Sequence, residues 1–318
     1  MSLPSILSPH SVDGDASSTA RVVPHRYLAK TLWLYASICH VLPLTGAVVA
    51  MFLLPWIQPG VIVGVLFAIF WALTLGVGIS VGFHRLFSHR AFTAYPEVRV
   101  PIAILGSMAG QGPLIAWVAL HRCHHQYSDR IGDPHSPWPQ GNTVRESLRG
   151  FWHSHFGWVL CYDMPDPLFY CPDLVNDRLL SRTSRLFLVW FLLGLILPPL
   201  LAGLLIGTWE SALAGFLWAG CVRVALTSQV TWCINSICHL FGRHPHDTGD
   251  HSKNLAWLAI PSFGESWHNN HHAFPGSAAF GHRVSQIDLG YIVIRILQKM
   301  RVVQNVKTPA LQDSKKLP

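Results

Sequence analysis

From Leu32 to Ile57 the sequence carries no charged residue, and His40 is its one strongly polar interruption, with Pro43 and Pro55 inside the run. Gln58-Pro59-Gly60 then reads as a turn, and Val61 to Phe83 follows without a charge. At 1.5 Å per residue, runs of this length cross a hydrocarbon layer of ~30 Å. A second pair comes later: Leu186 to Ile206, the tight turn Gly207-Thr208-Trp209-Glu210, and Ser211 to about Trp232. Arg223 is the only full charge inside any arm. The pattern predicts two helical hairpins, with spans at about 32–57, 61–83, 186–206 and 211–232. Half of the 318 residues are hydrophobic and 12% are charged, against about a quarter charged in soluble domains. Mean hydropathy is +0.33. Soluble hydrolase and nucleic-acid-binding readings fail on that composition.

Lys and Arg cluster before residue 31, between 85 and 185 and after 242, and neither hairpin turn holds one. The positive-inside rule then puts both termini and the 84–185 segment in the cytosol. Val100 to Val118 is apolar but contains Pro101, Gly106, Gly110, Gln111, Gly112 and Pro113. It reads as a helix lying on or dipping into the interface, because a fifth span would carry the following histidines to the wrong side. Residues 1–30 lack the apolar core of a signal peptide and are expected to be a mobile cytosolic tail. Residues 31–306 are expected to be one membrane domain, with 307–318 a second tail. The seven cysteines form no CxxC pair and suit reduced thiols on a cytosolic face.

Histidine is unusually frequent, at 19 copies. His121, His124 and His125 stand at i, i+3 and i+4, and so do His268, His271 and His272. On a helix this spacing gathers side chains within about 100° of arc, so each trio can offer three imidazoles to a shared point. His84 and His89 are five apart, and they converge only if their helix ends or bends between them. His239 stands alone at the exit of the fourth apolar run. Neutral imidazole suits iron, zinc, copper and nickel. Nine such rings exceed the usual complement of about four to six ligands per ion, so two ions are the natural count. His10, His25, His40, His153, His155, His244, His246, His251 and His282 lack the pattern and read as packing or surface residues.

HRLFSH, HRCHH and HNNHH, together with SDRIGDPH, WCINSICHLFG and GESWHNNHHAFP, resemble the three histidine boxes and flanking text of the integral-membrane fatty acyl desaturases, above all the stearoyl-CoA desaturase-like group. The likeness covers roughly residues 30–306. It implies an all-α multi-pass membrane protein: four transmembrane helices in two hairpins, an interfacial helix, and a cytosolic helical cap holding a di-iron centre. It implies His84, His89, His121, His124, His125, His239, His268, His271 and His272 as ligands, with Asn235 reaching one iron through a water. Asp129, Asp133 and Glu265 lie close enough to the boxes to orient imidazoles through their second nitrogens. Gln111, Trp117 and Trp232 occupy positions that in the resembling enzymes line the acyl tunnel.

The activity so implied is oxygen-dependent insertion of a cis double bond, by family default at C9 of a saturated C16–C18 chain carried as acyl-CoA. An Arg-Asp pair that precedes the second box in animal acyl-CoA enzymes is Ala119-Leu120 here. A membrane glycerolipid is therefore the second expected carrier. No HPGG-type haem-binding motif is present, so the electron donor is expected to be a separate acidic protein of the ferredoxin, rubredoxin or cytochrome b5 type, with its reductase. A di-iron hydroxylase on the same scaffold and a divalent-metal transporter are the rival readings. Transport requires ligands near the midplane, whereas here only His40 lies within a span.

Overall fold

The computed structural model describes residues 20–137 and 143–309. Among the described residues, four helices are long and apolar enough to cross a membrane: α1 (His25–Leu53), α2 (Gly60–Ser88), and, later in the chain, Phe187–Ile206 and Trp209–Leu240. They are longer than the apolar runs. The first begins at His25, so residues 20–30 are not the expected tail: Val22–Val23 (β1) is already a strand, and the helix has started before residue 31. The second runs on to Ser88 and the fourth to Leu240, because a helix can continue into the cap once its polar residues find partners there. Residues 1–19 and the end of the expected second tail, 310–318, lie outside the described residues. Lys307, the first residue of that tail, is tied in: its N–H donates to Ala91 and its carbonyl accepts from Ala278.

Within α2, Ala72–Ser88 winds as a π-helix, an i→i+5 geometry that proteins use sparingly and often at functional sites. Thr93–Ala94 (β2) follows. The expected interfacial helix is two helices, α3 (Pro96–Ser107) and α4 (Leu114–Tyr127). Between them the backbone takes left-handed φ values at Gly110 (78°) and Gly112 (100°), which breaks any continuous helix. α3 packs directly onto the π segment, because a Cβ on Gly78 would collide with the backbone of Leu105 and Gly106. The cap continues with α5 (Val144–Trp152), Met164–Pro165 (β3) and α6 (Arg178–Arg185).

The second hairpin is α7 (Phe187–Ile206) and α8 (Trp209–Leu240), turned at Gly207 with φ 85°. Arg223 is completely buried within it. Its guanidinium donates to the carbonyls of Ala219 and Gly194 and to Thr74, at 2.8 to 2.9 Å, tying α2, α7 and α8 together. After α8 come α9 (His268–Ala273), α10 (Leu289–Lys299) and Val303–Gln304 (β4). β1 pairs antiparallel with β3 and β2 with β4. Both described ends of the chain are thus stitched to the end of the bundle opposite the hairpin turns. The seven cysteines are all free.

A candidate metal centre at the junction of helices and cap

The nine histidines of the boxes and of α8 sort into two groups. His84, His89, His121, His125 and His271 have ring nitrogens within 4.8 Å of one another, and so do His124, His239, His268 and His272. Neither trio serves a single point, contrary to the expectation from spacing. His121 and His125 face the first group and His124 the second; His268 and His272 face the second and His271 the first. Positions i and i+4 are side by side on a helix, whereas i+3 sits about 100° round from i+4, so α4 and α9 each run between the two groups. His84 and His89 meet because the i→i+5 winding wraps five residues in little more than one turn. The His89 N–H donates to the His84 carbonyl at 3.2 Å, and the two ring centres stand 5.0 Å apart.

Four of the rings are oriented from behind by carboxylates. The Nδ1 of His124 is 2.9 Å from Asp133, that of His239 is 2.8 Å from Asp129, and that of His272 is 2.6 Å from Asp250. His84 Nδ1 donates to Glu265, which also accepts from Ser80 and lies 3.6 Å from the buried Arg85 guanidinium. A ring whose Nδ1 donates to a carboxylate presents a lone pair at Nε2. Those lone pairs converge: His84 Nε2 lies 3.0 Å from His271 Nε2, and His239 Nε2 lies 2.9 Å from His268 Nε2. Among the described residues, the buried Nε2 atoms of His124 and His272 have no hydrogen-bond partner. Unpartnered buried polar atoms are costly, and a cation is what such converging lone pairs would satisfy. The donor set fits a transition-metal ion in each group.

Electrostatics agree with that reading. Burial first, and then the neighbouring rings, hold His89, His121, His125, His268 and His271 well below the usual imidazole range, so they stay neutral as ligands must. Burial opposes ionisation of the carboxylates, yet their histidine partners win. Asp129 is lowered to about 2, and Asp133, Asp250 and Glu265 are lowered too. Asp250 has no sequence cue beyond its place in HDTGDH, 22 residues before the ring that it orients. His135 was also passed over: burial lowers it to about 3, and it lies beside His124 and Asp133.

Apolar space leads to these groups. A cavity of about 530 Å³ is lined by Tyr35, Gln111 and Trp117 among others. It adjoins a cavity of about 40 Å³ that is walled by Gln111, Trp117, Trp232, His121 and Asn235. A further space of about 40 Å³ touches both histidine groups, with Trp117 and Asn235 again in its wall. Trp117 stacks on His121 with ring centres 5.1 Å apart. His40, expected to be a packing residue, lines the middle cavity and bonds Ser228 and the Tyr35 hydroxyl, each at 3.1 Å.

Residues 61–283 match the family described as fatty acid desaturase. The chain belongs to the fatty acid desaturase family. It is an oxidoreductase acting on fatty acyl chains in a lipid environment. Among its relatives, the hex-5-enoyl-[acyl-carrier protein] acetylenase of Moorena producens (strain JHB) is 42% identical, with 100% of both chains covered. The sn-1 stearoyl-lipid 9-desaturase of Synechocystis sp. (strain ATCC 27184 / PCC 6803 / Kazusa) is 36% identical over 78% of this chain and 72% of its own. Delta-9 acyl-lipid desaturase 1 of Arabidopsis thaliana is 35% identical over 76% and 74%. As in the reading of the boxes, the nine histidines lie at one end of the bundle, and of the histidines in the spanning helices His25 and His40 belong to neither group. A transport path gains no support from that arrangement.

Proposed function

We propose that this chain is an oxygen-dependent desaturase that holds two iron ions, one in each histidine group, and removes two hydrogens from neighbouring carbons of a fatty acyl chain to leave a cis double bond. The observation that carries the proposal is the convergence of nine imidazoles, four of them oriented by carboxylates, beside a series of adjoining cavities whose largest is mainly apolar. The ions would supply, with O₂, two electrons and two protons, the oxidant that a methylene needs, so that the alkene and two waters leave together.

The chain's own residues do the rest. Asp129, Asp133, Asp250 and Glu265 fix the rings, Asn235 would reach one ion through a water, and Gln111, Trp117 and Trp232 would shape the space and exclude solvent from it. Holding both hydrogens toward the ions is what separates an alkene from an alcohol, and an error of about 1 Å in such positioning can cost ~100-fold in rate. The carriers proposed are acyl-CoA first and a membrane glycerolipid second. C9 of a saturated C16–C18 chain is the default position. The full-length likeness to an enzyme named for an acyl-carrier-protein substrate adds a second thioester to the carriers worth testing. The net charge of +7 suits a separate acidic donor, of ferredoxin, rubredoxin or cytochrome b5 type with its reductase. With both hairpin turns free of Lys and Arg, the termini and the metal groups are assigned to the cytosolic side.

The test is incubation of iron-replete enzyme with a deuterated saturated acyl thioester, O₂ and a reducing partner. Loss of two deuteriums from adjacent carbons is the expected result, and a hydroxy acid as the main product would overturn it.

A further inference from the structure

We infer that the two ions are unequal: the one held by His124, His239, His268 and His272 is the more easily oxidised and gives up the first electron. The inference rests on the desaturase reading above and gives its two histidine groups different redox roles.

The difference lies behind the rings. In the group of four, three rings have Nδ1 on a carboxylate: His124 on Asp133, His239 on Asp129 and His272 on Asp250. In the group of five, among the described residues, only His84 does, on Glu265. A carboxylate that accepts from Nδ1–H makes the ring a more basic ligand, closer to an imidazolate, and so favours the higher charge on the ion. These anions are also enclosed. The side chains of Asp133, Asp129 and Asp250 are 0%, 2% and 6% exposed, and buried charges are screened far less than those in water.

Cations widen the difference. Among the described residues, no Lys or Arg nitrogen lies within 4.0 Å of the carboxylates of Asp129, Asp133 or Asp250. Their further donors are neutral: Ser136 and the His251 N–H on Asp129, the Asp129 and His135 N–H groups on Asp133, and Thr248 and Ser252 on Asp250. Glu265 instead stands 3.6 Å from the fully buried Arg85 guanidinium and accepts from Ser80. Arg85 is shared with Asp288 at 2.9 Å, but Asp288 accepts from the N–H groups of Phe280 and Tyr291 and bonds none of the nine rings. The buried Nδ1 atoms of His268 and His271 have no hydrogen-bond partner among the described residues, one in each group, and leave the comparison unaltered. One ion thus faces three carboxylates without a cation, and the other a single carboxylate beside an arginine. Loss of one electron takes a ferrous ion to the ferric state, and the added positive charge is stabilised more by the first arrangement. The four-histidine group therefore has the lower potential. A reducing partner fills the five-histidine group first and the four-histidine group second.

The test is an anaerobic oxidation of the wild-type chain, loaded with two Mössbauer-active ferrous ions, by ferricyanide, which takes one electron per molecule and becomes ferrocyanide. The expected result is two separate one-electron steps, with half of the iron ferric between them. Asp129→Asn, Asp133→Asn and Asp250→Asn each remove a charge while keeping the side chain's shape, so each should shift the lower-potential step upward and leave the other in place. Glu265→Gln should shift only the higher step. The three Asn variants act on the same ion, so any one that folds and retains both ions decides the assignment. A single step in which both ions oxidise together overturns the inference, and so does a lower step that moves with Glu265→Gln and not with the Asn variants. The same preparation, given a deuterated acyl thioester, O₂ and a reducing partner, tests the desaturase reading separately. A single oxidation step with two deuteriums lost overturns the inference alone, whereas a chain that binds no iron overturns both.

Discussion

Asp250 shows at the scale of one residue how little of a candidate metal centre is written in its motifs. The boxes were legible because histidine spacing follows helix periodicity, which any sequence displays. Asp250 was not, because its partner His272 lies across a loop, and no local rule ties a carboxylate to a ring 22 positions away. Replacing it with alanine removes the acceptor that fixes His272, and such loss costs about 10–100-fold in metal affinity. Competition with a chelator should reveal the change in one of the two bound ions and not the other, since only the group of His124, His239, His268 and His272 contacts Asp250. Alanine at His121, His125, His268 or His272 should lower metal content directly. Acid acts on the same rings. The folded chain holds His121, His125, His268 and His271 neutral, while the unfolded chain protonates them near the ordinary 6.5. The unfolded state then takes up more protons as pH falls, so stability that is present above about pH 6.5 is lost below it. Melting followed from pH 8 to pH 5 should show a falling midpoint together with metal release.

Among the elements, the four spans were readable from uninterrupted apolar runs, and their extensions into the cap were not. The polar stretches His84–Ser88 and Trp232–Leu240 are helical because the cap supplies partners, as when Arg122 caps the Phe87 and Ser88 carbonyls at 2.7 and 3.1 Å. The π winding is likewise invisible to a 3.6-residue template, and it turns the weakest sequence pair, His84 and His89, into neighbours. That winding depends on close approach of α3. Gly78→Val would drive a side chain into the backbone of Leu105 and Gly106, and overpacking of this kind costs roughly 1–3 kcal/mol or more. The thermal midpoint should fall, and metal content should fall with it because His84 and His89 would be displaced. A value unchanged in both measurements would separate the π segment from the site. Arg223→Ala should also destabilise, because it leaves Thr74 and two carbonyls of α7 and α8 without their donor.

For the whole molecule, orientation is the property that a single labelling experiment reads. With cysteines introduced at Gly60 and Thr208 in a background lacking the native seven, an impermeant thiol reagent should label both from outside the cell. Labelling from the cytosolic side alone would reverse the topology. The two short strand pairs and the two histidine groups lie at the same end of the bundle, and the groups draw on segments far apart in the chain. In the first, His84, His89, His121 and His125 all precede residue 126, and only His271 comes late. In the second, only His124 is early, and His239, His268 and His272 follow the second hairpin. During synthesis on the ribosome, four of the five rings of the first group have therefore been translated before the second hairpin exists, while the second waits for almost the entire chain. A nascent protein stalled before α9 would own a nearly whole receptacle for one ion and barely half of one for the other.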